Sequence, residues 1–267
     1  MADNTPVISV RNLTCGYDGV VIVNDVTFDI NRGEVFIILG GSGCGKSTLL
    51  KNMIGLIEPM AGRVLFGGDD LTSATGEARQ TIIRKFGVMY QMGALFGSMS
   101  VLQNVMLPLE EFTDLPQEAI ELIAKSKLAM VDMENAAYKM PAALSGGMKK
   151  RAAIARAMAL DPGILFLDEP GAGLDPISSA VLDDLILDLS KNLGITFVIV
   201  THELESIYKI ADRVIMLDKE VKTIVAEGDP RVLRDTSDNP FVRRFFLRQP
   251  DIDTPGHGPD GQPAAQG

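Results

Sequence analysis

The chain has 267 residues, with 25 lysines and arginines against 35 acidic residues, so its formal net charge is -10. This charge argues against general nucleic-acid binding, which depends on basic contacts to phosphates. Two cysteines are too few for a disulfide framework and fit a reducing compartment. The apolar runs at residues 35–39, 164–167 and 195–200 are far shorter than the roughly 20 residues of a membrane-spanning helix. The polar residues 1–6 do not resemble a secretory signal.

The first part of the chain predicts a β-hairpin followed by a strand, a loop and a helix. Extended patterns at residues 7–13 and 20–30 are separated by the turn-prone residues 15–19, which place Tyr17 at the turn. A continuous apolar strand follows at residues 35–39, and beyond a glycine-rich loop the apolar residues recur at helical spacing. The apolar helical positions are Leu49, Leu50, Met53, Ile54 and Ile57.

The glycine-rich loop matches the phosphate-loop pattern G-x4-G-K-S in full. Its residues are Gly40, Gly41, Ser42, Gly43, Cys44, Gly45, Lys46 and Ser47, and Thr48 follows in the helix. Glycines allow backbone N–H groups to surround phosphate oxygens at the positive end of a helix. We therefore expect these residues to bind a nucleotide, with Lys46 at the β- and γ-phosphates and Ser47 on Mg²⁺. The pattern alone does not separate ATPases from kinases or GTPases.

Cys44 has no required chemical role in this loop. Its thiol lies at the N-terminus of the predicted helix, where the helix dipole favours the thiolate. We therefore expect a maleimide to react with Cys44 and to block activity, and we expect bound ATP to protect the thiol.

The middle of the chain predicts short strands and then a helical insertion. Strand signals at residues 64–66 and 86–90 flank a polar stretch. Gln91 follows the second strand and, taken alone, is an exposed loop amide. From residue 99 to residue 140 the pattern becomes helical. The predicted helices of this insertion lie at residues 101–109 and 118–130.

The second half alternates fully apolar strands with helices, which implies a parallel sheet covered on both faces. The strands are predicted at residues 164–167, 195–200 and 214–217, and the helices at residues 149–160, 176–193 and 203–211. Asp175 and Pro176 suit the start of the second of these helices, as the cap and the first helical residue. Beyond Pro250 the composition changes to Pro, Gly, Asp and Gln without periodicity, so we expect residues 250–267 to be disordered.

Two carboxylates and one histidine end predicted strands. Asp168 and Glu169 follow the apolar run at residues 164–167, so they emerge at the carboxyl edge of the sheet, where such sheets bind their ligands. Asp168 can hold Mg²⁺ directly or through water, which leaves Glu169 as the better group to activate an attacking water. Alternatively, Glu169 is a surface carboxylate at a loop start. His202, taken alone, is a hydrogen-bonding residue at a strand end.

Residues 144–148, with the sequence Leu-Ser-Gly-Gly-Met, distinguish one class of ATPase from the other proteins that carry a phosphate loop. Alone, this segment can be a helix N-terminus with Ser145 as its cap. It lies, however, after the phosphate loop and shortly before Asp168 and Glu169. In this order the three motifs resemble the ATP-binding-cassette (ABC) ATPase family, over about residues 7–246.

The resemblance implies an α/β fold: a P-loop NTPase with a mostly parallel sheet core, an N-terminal antiparallel β subdomain and a helical ABC-specific subdomain. It implies a single ABC ATPase domain at residues 1–249. The expected parts are the core at residues 1–90 and 151–240, the helical subdomain at about residues 91–150 and a terminal segment at residues 241–249. The basic and aromatic residues 241–247 either form a helix packed on their own domain or contact a partner.

The resemblance also implies roles for single residues, with ATP and Mg²⁺ as the cofactors. The implied catalytic residues are Glu169, which activates water, His202, which contacts the γ-phosphate, and Gln91, which touches Mg²⁺ and the attacking water. The implied Mg²⁺ ligands are Ser47, Gln91 and Asp168. Tyr17 is implied to stack on adenine, and ordinary hairpin packing is an equal alternative.

The signature residues imply a second subunit, because a loop that caps a helix in a separate insertion cannot reach the phosphate loop of its own chain. These residues are Ser145, Gly146, Gly147 and Met148. In the family they close on the γ-phosphate bound to a second copy of the cassette, arranged head to tail, with Asp175 at the interface. The resemblance further implies an integral membrane permease as partner and a cytoplasmic location, peripheral on the inner face of the cell membrane.

Two features go beyond the general cassette. Residues 91–96, 99–101 and 104–109 resemble the ATPases of bacterial lipid transporters that work with Mce-domain proteins, the Mla type. Residues 144–148, with Met148 in place of the usual glutamine, and the following Lys149, Lys150 and Arg151 also resemble that group. This implies transport of phospholipids or related lipids between membranes, with Mce-domain and small accessory proteins as partners. The alternatives are another ABC importer or exporter, a permease-free ABC ATPase such as an iron–sulfur assembly factor, and a module that binds ATP without turnover.

Overall fold

The computed structural model describes residues 6–91 and 93–248, which form two sheets and a set of helices. The strands are β1 (Ile8–Tyr17), β2 (Val20–Ile30), β3 (Val35–Gly40), β4 (Ala61–Phe66), β5 (Asp69–Asp70), β6 (Phe86–Met89), β7 (Ile164–Asp168), β8 (Thr196–Val200), β9 (Arg213–Leu217) and β10 (Ile224–Gly228). The α-helices are α1 (Lys46–Met53), α2 (Gly76–Ile83), α3 (Val101–Phe112), α4 (Gln117–Ala129), α5 (Gly146–Ala157), α6 (Pro176–Leu193), α7 (Leu204–Ile210), α8 (Pro230–Thr236) and α9 (Pro240–Phe246).

The central sheet has six strands in the order β10, β9, β3, β8, β7, β6. Strands β9, β3, β8, β7 and β6 pair in parallel, and β10 pairs antiparallel with β9 at one edge. Strands β3, β7 and β8 are buried along their whole length. Such strands need apolar side chains on both faces, which is why the continuous apolar runs of the sequence predicted them. The mostly parallel core is confirmed.

A second sheet contains the predicted hairpin, with antiparallel strands in the order β2, β1, β4, β5. The predicted break at residues 15–19 is too long, because β1 continues to Tyr17 and the turn consists of Asp18 and Gly19. Both turn residues have a positive φ, 48° and 79°. That backbone matches the twist of the flanking strands in a two-residue hairpin loop.

Strand β3 separates two apolar cores. Val35, Ile37 and Leu39 belong to the core that the strand shares with helices α3 to α7. Phe36 and Ile38 belong to the other core, which contains the antiparallel sheet and α1. The alternation of side chains along a strand therefore packs the helical insertion and the antiparallel sheet on opposite faces of the central sheet.

The helical insertion matches its prediction closely at α3 and α4. Ser100 caps α3 in a reciprocal capping box with Gln103. Helix α5 begins at Gly146 rather than at the predicted Lys149, and it crosses the expected boundary between residues 150 and 151. The division into core and helical subdomain therefore remains a prediction. Among the described residues, no helix combines the length and the apolarity needed to cross a bilayer.

Four of the elements named above were not predicted: β5, α2, β10 and α8. Helix α2 lies in the stretch that was read as polar, and it buries only Ile82. Strand β10 is largely half-buried, and α8 buries only Pro230. Elements that bury so little carry weak apolar periodicity. The expected disorder of residues 250–267 lies outside the described residues.

Helix α9 packs on its own domain. Val242 and Phe246 are buried in the core shared with α3 to α7. The ring of Phe246 lies 6.0 Å from the ring of Tyr208, so an aromatic side chain of this segment packs against its own domain. A contact between this segment and a partner remains a prediction.

The close approach of β6 to α5 gives a stability prediction. A Cβ atom on Gly87 would lie 2.0 Å from the carbonyl oxygen of Ala157, a backbone atom that cannot move aside. We expect Gly87→Ala to lower the free energy of unfolding by about 2 kcal/mol, the range of overpacked cores. Gly163→Ala is the control, because a Cβ there meets no atom within 4 Å, and we expect it to stay within about 0.5 kcal/mol of the parent. Chemical denaturation of both variants measures the difference, and equal midpoints would contradict the prediction.

Candidate active site

Four parallel strands bring the predicted functional groups to one edge of the central sheet. Strands β3, β8, β7 and β6 are neighbours in that order. Their carboxyl ends lead into the phosphate loop, His202, Asp168 with Glu169, and Gln91, respectively. Residues that are far apart in the sequence therefore meet at the edge where such sheets bind ligands.

The phosphate loop depends on glycine at two positions. Gly40 has a φ of 147°, and a Cβ there would lie 2.5 Å from the Cys44 sulfur and from the Leu217 carbonyl oxygen. Gly45 has a φ of 100°, and its Cβ would lie 2.6 Å from a methyl group of Val23. Helix α1 begins directly after Gly45 without a side-chain cap. Its first N–H groups are therefore available to an anion such as a phosphate.

Lys46 lies across the loop. Its ammonium donates hydrogen bonds to the carbonyl oxygens of Gly40 and Gly41, at 2.8 and 3.0 Å. Phosphate oxygens can take over these bonds when a nucleotide binds, because they carry more negative charge than a carbonyl group. The geometry agrees with the phosphate-binding role that the motif predicts.

Asp168 and Ser47 form a pair of oxygen groups next to the loop. The Ser47 hydroxyl donates a hydrogen bond to the Asp168 carboxylate at 3.3 Å. Burial raises the pKa of Asp168, while the Ser47 hydrogen bond and the charges of Lys51 and Lys46 lower it. A hydroxyl and a carboxylate are ligands that Mg²⁺ accepts, and Mg²⁺ normally keeps water and substrate phosphate as its other ligands. This fits the described residues, in which no group of three or more acidic, histidine or cysteine side chains could hold a metal.

Glu169 has one carboxylate oxygen held and the other free. Its Oε1 lies 2.9 Å from Nδ1 of His202. Its buried Oε2 has no hydrogen-bond partner among the described residues. Glu169 also has a φ of 48°, a left-handed conformation that costs about 1–3 kcal/mol for a residue other than glycine. Its amide is held by the carbonyl of Val200 at 2.8 Å. The strained backbone therefore holds a carboxylate with one buried, unused acceptor at the site.

Gln91 is connected to Glu169 through a lysine that the sequence reasoning did not select. The ammonium of Lys150 donates hydrogen bonds to the carbonyl oxygen of Gln91 and, at 3.2 Å, to that of Glu169. Lys150 is only 7% exposed. Burial lowers its pKa, and the carboxylates of Glu169, Glu203 and Asp168 act in the opposite direction. The only sequence signal for it was a pair of lysines directly after the signature segment.

A cleft of about 740 Å³ contains most of the predicted site. It is lined by Ile22, Gly40, Gly41, Ser42, Gly43, Gly45, Lys46, Ser47, Thr48, Gln91, Glu169, His202 and Phe245. The lining combines the phosphate loop with the three residues that were predicted to be catalytic. The fold therefore forms a site suited to a nucleoside triphosphate and an attacking water.

The apolar wall of the cleft differs from the prediction. Ile22 and Phe245 line it, although the sequence reasoning selected neither of them. Tyr17 is 40% exposed and is not among the described lining residues. Ile22 could have been found from its place on the hairpin strand that faces the phosphate loop. Adenine stacking by Tyr17 remains a prediction.

The signature segment lies away from this cleft. Ser145 caps α5, because its hydroxyl accepts a hydrogen bond from the amide of Met148 at 3.3 Å. A Cβ on Gly146 would lie 3.1 Å from the side chain of Leu174, so the segment borders the turn before Asp175. Asp175 caps α6 by accepting bonds from two backbone amides. The described residues that line the cleft do not include Ser145, Gly146, Gly147 or Met148.

A comparison with protein families gives the assignment. The family model described as "ABC transporter" matches residues 23–172, more than half of the chain. The match includes the phosphate loop, the signature segment, Asp168 and Glu169. The chain belongs to the ABC transporter family. This ABC cassette binds ATP and is an ATPase.

The curated relatives of the ABC cassette include proteins that are named for two different transport functions. A probable ribonucleotide transport ATP-binding protein of Mycobacterium leprae is 42% identical over 90% of this chain and 68% of its own length. The intermembrane phospholipid transport system ATP-binding protein MlaF of Haemophilus influenzae is 39% identical over 92% of this chain and 91% of its own length. The Escherichia coli K12 protein of that name is 40% identical over 84% and 82%.

Solved structures agree with the fold of the cassette. The cbiO1 protein of Clostridium perfringens, part of an ABC transporter complex, has a TM-score of 0.79 at 31% identity, over 91% of this chain and 96% of that chain. A dimeric cassette in a post-hydrolysis state, bound to ADP and phosphate, has a TM-score of 0.75 at 30% identity, over 83% and 98%. Cassettes of known structure thus share the overall fold of this chain over most of its length.

The expectation that Cys44 is reactive is wrong. The side chain is only 2% exposed, because the loop folds its thiol inward against Gly40 and Leu217. Burial raises the pKa of the thiol, and the charge of Lys46 offsets this only in part. Desolvation of the thiolate therefore outweighs the helix N-terminus at this position.

Native cysteine labelling tests this correction. We expect a maleimide to label the folded cassette slowly at neutral pH, because Cys44 is buried, and Cys15 is buried with its pKa raised to about 12. Unfolding in guanidinium should expose both thiols to rapid labelling, followed by intact-mass spectrometry. A Ser98→Cys variant is the control, since position 98 is exposed and should label fast in the native state. Labelling of Cys44 as fast as that control would contradict the buried thiol.

Proposed function

We propose that the chain is the ATP-hydrolysing subunit of a bacterial ABC transporter that moves phospholipids between membranes. The observation that supports hydrolysis best is the Glu169 carboxylate, which offers one free oxygen at the edge of the phosphate-loop cleft. The cargo is supported by the phospholipid transport ATPase of Haemophilus influenzae, which matches this chain over nearly the whole length of both proteins.

In this proposal Glu169 acts as the general base. The phosphate-loop amides and Lys46 bind the β- and γ-phosphates, and Oε2 of Glu169 takes a proton from a water. The water oxygen forms a bond to the γ-phosphorus while the bond to the β–γ bridging oxygen breaks, which gives ADP and phosphate. His202 holds Oε1 of the same carboxylate and keeps the second oxygen directed toward the water.

Mg²⁺ fits beside these groups. Ser47, Asp168 and the side chain of Gln91 would hold it, since Ser47 and Asp168 already form one oxygen pair. When bound, the ion neutralises charge on the phosphates during their transfer. Burial raises the pKa of Asp168, and a bound Mg²⁺ would offset this by stabilising the ionised carboxylate.

The signature segment points to a second copy of the cassette. Ser145, Gly146, Gly147 and Met148 lie outside the cleft of their own chain, and Ser145 and Gly146 are exposed. In a head-to-tail dimer they would close on the γ-phosphate of the other copy, with Asp175 at the interface. Shifting such a pair from 1:99 open to 99:1 closed takes about 5.5 kcal/mol of differential binding, which two nucleotides with charge-assisted contacts can supply.

An integral membrane permease is the second partner in this proposal, which places the cassette on the inner face of the cell membrane. The loop after Gln91 carries Phe96, which is half exposed. An apolar groove beside it is lined in part by Ile83, Pro108 and Phe112. A groove of this kind suits an amphipathic helix of the partner. Mce-domain and small accessory proteins complete the proposed assembly.

The base role of Glu169 gives a direct prediction. Glu169→Gln should lower kcat for ATP by roughly 100-fold or more, as expected for loss of a general base, while ATP still binds. The cassette should then remain closed as an ATP-bound dimer. Phosphate release measures turnover, and light scattering with ATP and Mg²⁺, in the presence of the membrane partner, measures the dimer. Glu58→Gln is the control, because Glu58 is exposed. A fully active Glu169→Gln variant, or one that stays monomeric with ATP, would count against the mechanism.

The proposed cargo is tested on the assembled transporter. We expect the full chain to co-purify with a multi-helix membrane protein, and mass spectrometry to find phospholipid enriched in the complex relative to the membrane from which it came. Lys46→Ala should preserve the complex and abolish ATP-driven lipid transfer between vesicles. If the complex contained ribonucleotide and transferred no lipid, the proposed cargo would be wrong. The cargo would then be ribonucleotide, as in the name of the mycobacterial relative. Absence of any membrane protein would favour a permease-free ATPase.

A further inference from the structure

We infer that Lys150 is a positioning residue for ATP hydrolysis. From the signature helix α5 its ammonium holds the main-chain carbonyls of Gln91 and Glu169, and so keeps both residues in place at the cleft. The inference rests on the proposed roles of these two residues, and it adds to them a fixed connection to the helix that carries the signature segment.

Lys150 connects two loops of the site from a helix that belongs to neither of them. One ammonium contacts the residue after β6 and the residue after β7, and it reaches them from a third element, α5. Lys150 is not among the described residues that line the cleft. It therefore acts behind the site rather than on the nucleotide.

The charge of Lys150, rather than its bulk, explains its place. Burying an ammonium is costly unless it is paired and hydrogen-bonded. Here two carbonyl oxygens accept its N–H groups, and the carboxylates of Glu169, Glu203 and Asp168 surround it. A methionine of similar length would fill the same space and make none of these contacts.

The effect on hydrolysis passes through the backbone of Glu169. This residue is held in a left-handed conformation by four contacts. Its amide bonds to Val200 and its side chain to His202, while its carbonyl accepts bonds from Lys150 and from the amide of Ala172 at 3.2 Å. Without the contact to Lys150 only the amide of Ala172 holds this carbonyl, so the peptide after Glu169 turns more easily and the direction of the carboxylate is less fixed. The phosphate loop makes no contact in this arrangement, so nucleotide binding should be unaffected.

The fold should survive the loss of Lys150, because other contacts hold the same loop on α5. Arg156 donates hydrogen bonds to the carbonyls of Ala94 and Gly93. A Cβ on Gly93 would lie 3.5 Å from the side chain of Ala153, so this loop already packs closely on the helix.

The test compares Lys150→Met with Lys149→Met in the full chain, with its partners where turnover requires them. We expect Lys150→Met to lower kcat about 10-fold, as loss of a positioning contact does. KM for ATP should stay within about 2-fold of the parent, and Tm should not fall. Lys149→Met, at the half-buried neighbouring position, should leave kcat, KM and Tm unchanged. Lys150→Arg should recover part of kcat, because it keeps a cation with several donors.

A double variant separates this inference from the proposed function itself. If Lys150 acts through Glu169, then Lys150→Met should slow a Glu169→Gln cassette by no more than about 2-fold, because the group that it positions is already gone. An undiminished 10-fold loss in that background would overturn the inference. So would an unchanged kcat in Lys150→Met, or a fall in Tm with KM and kcat altered together. A fully active Glu169→Gln would instead overturn the proposed base and leave Lys150 without a role.

Discussion

The parallel pairing of β3, β8, β7 and β6 is the constraint on which the rest of the site depends. Parallel strands place their carboxyl ends at one edge, so the phosphate loop, His202, Glu169 and Gln91 become neighbours without any contact in sequence. The complete burial of β3, β7 and β8 favours one register, because a shift by one residue would exchange the side chains that the two cores receive. The chemistry is thus held by packing, and the loops that carry it can be short.

The sequence predicted the parts of the fold in which burial and periodicity agree. The strands around Ile37, Phe166 and Ile199 are apolar on both faces, and the short length of these runs and the turn residues beside them favour strands over helices. Helix α2 was missed because one buried residue, Ile82, gives no periodic pattern. Cys44 was predicted to be reactive because a helix N-terminus favours the thiolate. The sequence does not show that the loop buries this side chain. Lys150 could not be chosen because sequence alone does not distinguish a buried lysine from a solvated one.

The cassette contains the part of a transporter that is independent of the cargo. Its cleft is built for phosphates, and the described residues contain no membrane-spanning helix. Relatives of similar identity are named for ribonucleotide and for phospholipid transport. Relatives of the cassette are thus named for different cargoes, and in the proposed function selectivity for cargo comes from the surfaces that meet other subunits.

The contact between Gly87 and Ala157 holds one end of α5 against β6, so a tilt of the helix moves mainly its other end. The carbonyl of Ala157, at the end of the helix, rests against the strand that leads to Gln91, while Ser145 caps the opposite end. A helix of 12 residues is about 18 Å long. A tilt of about 10° around the Ala157 end would move Ser145 by about 3 Å, roughly the length of one hydrogen bond. A small rotation at the end of α5 beside the Gln91 loop would therefore be enough to make or break the contacts with a second cassette that we propose for Ser145.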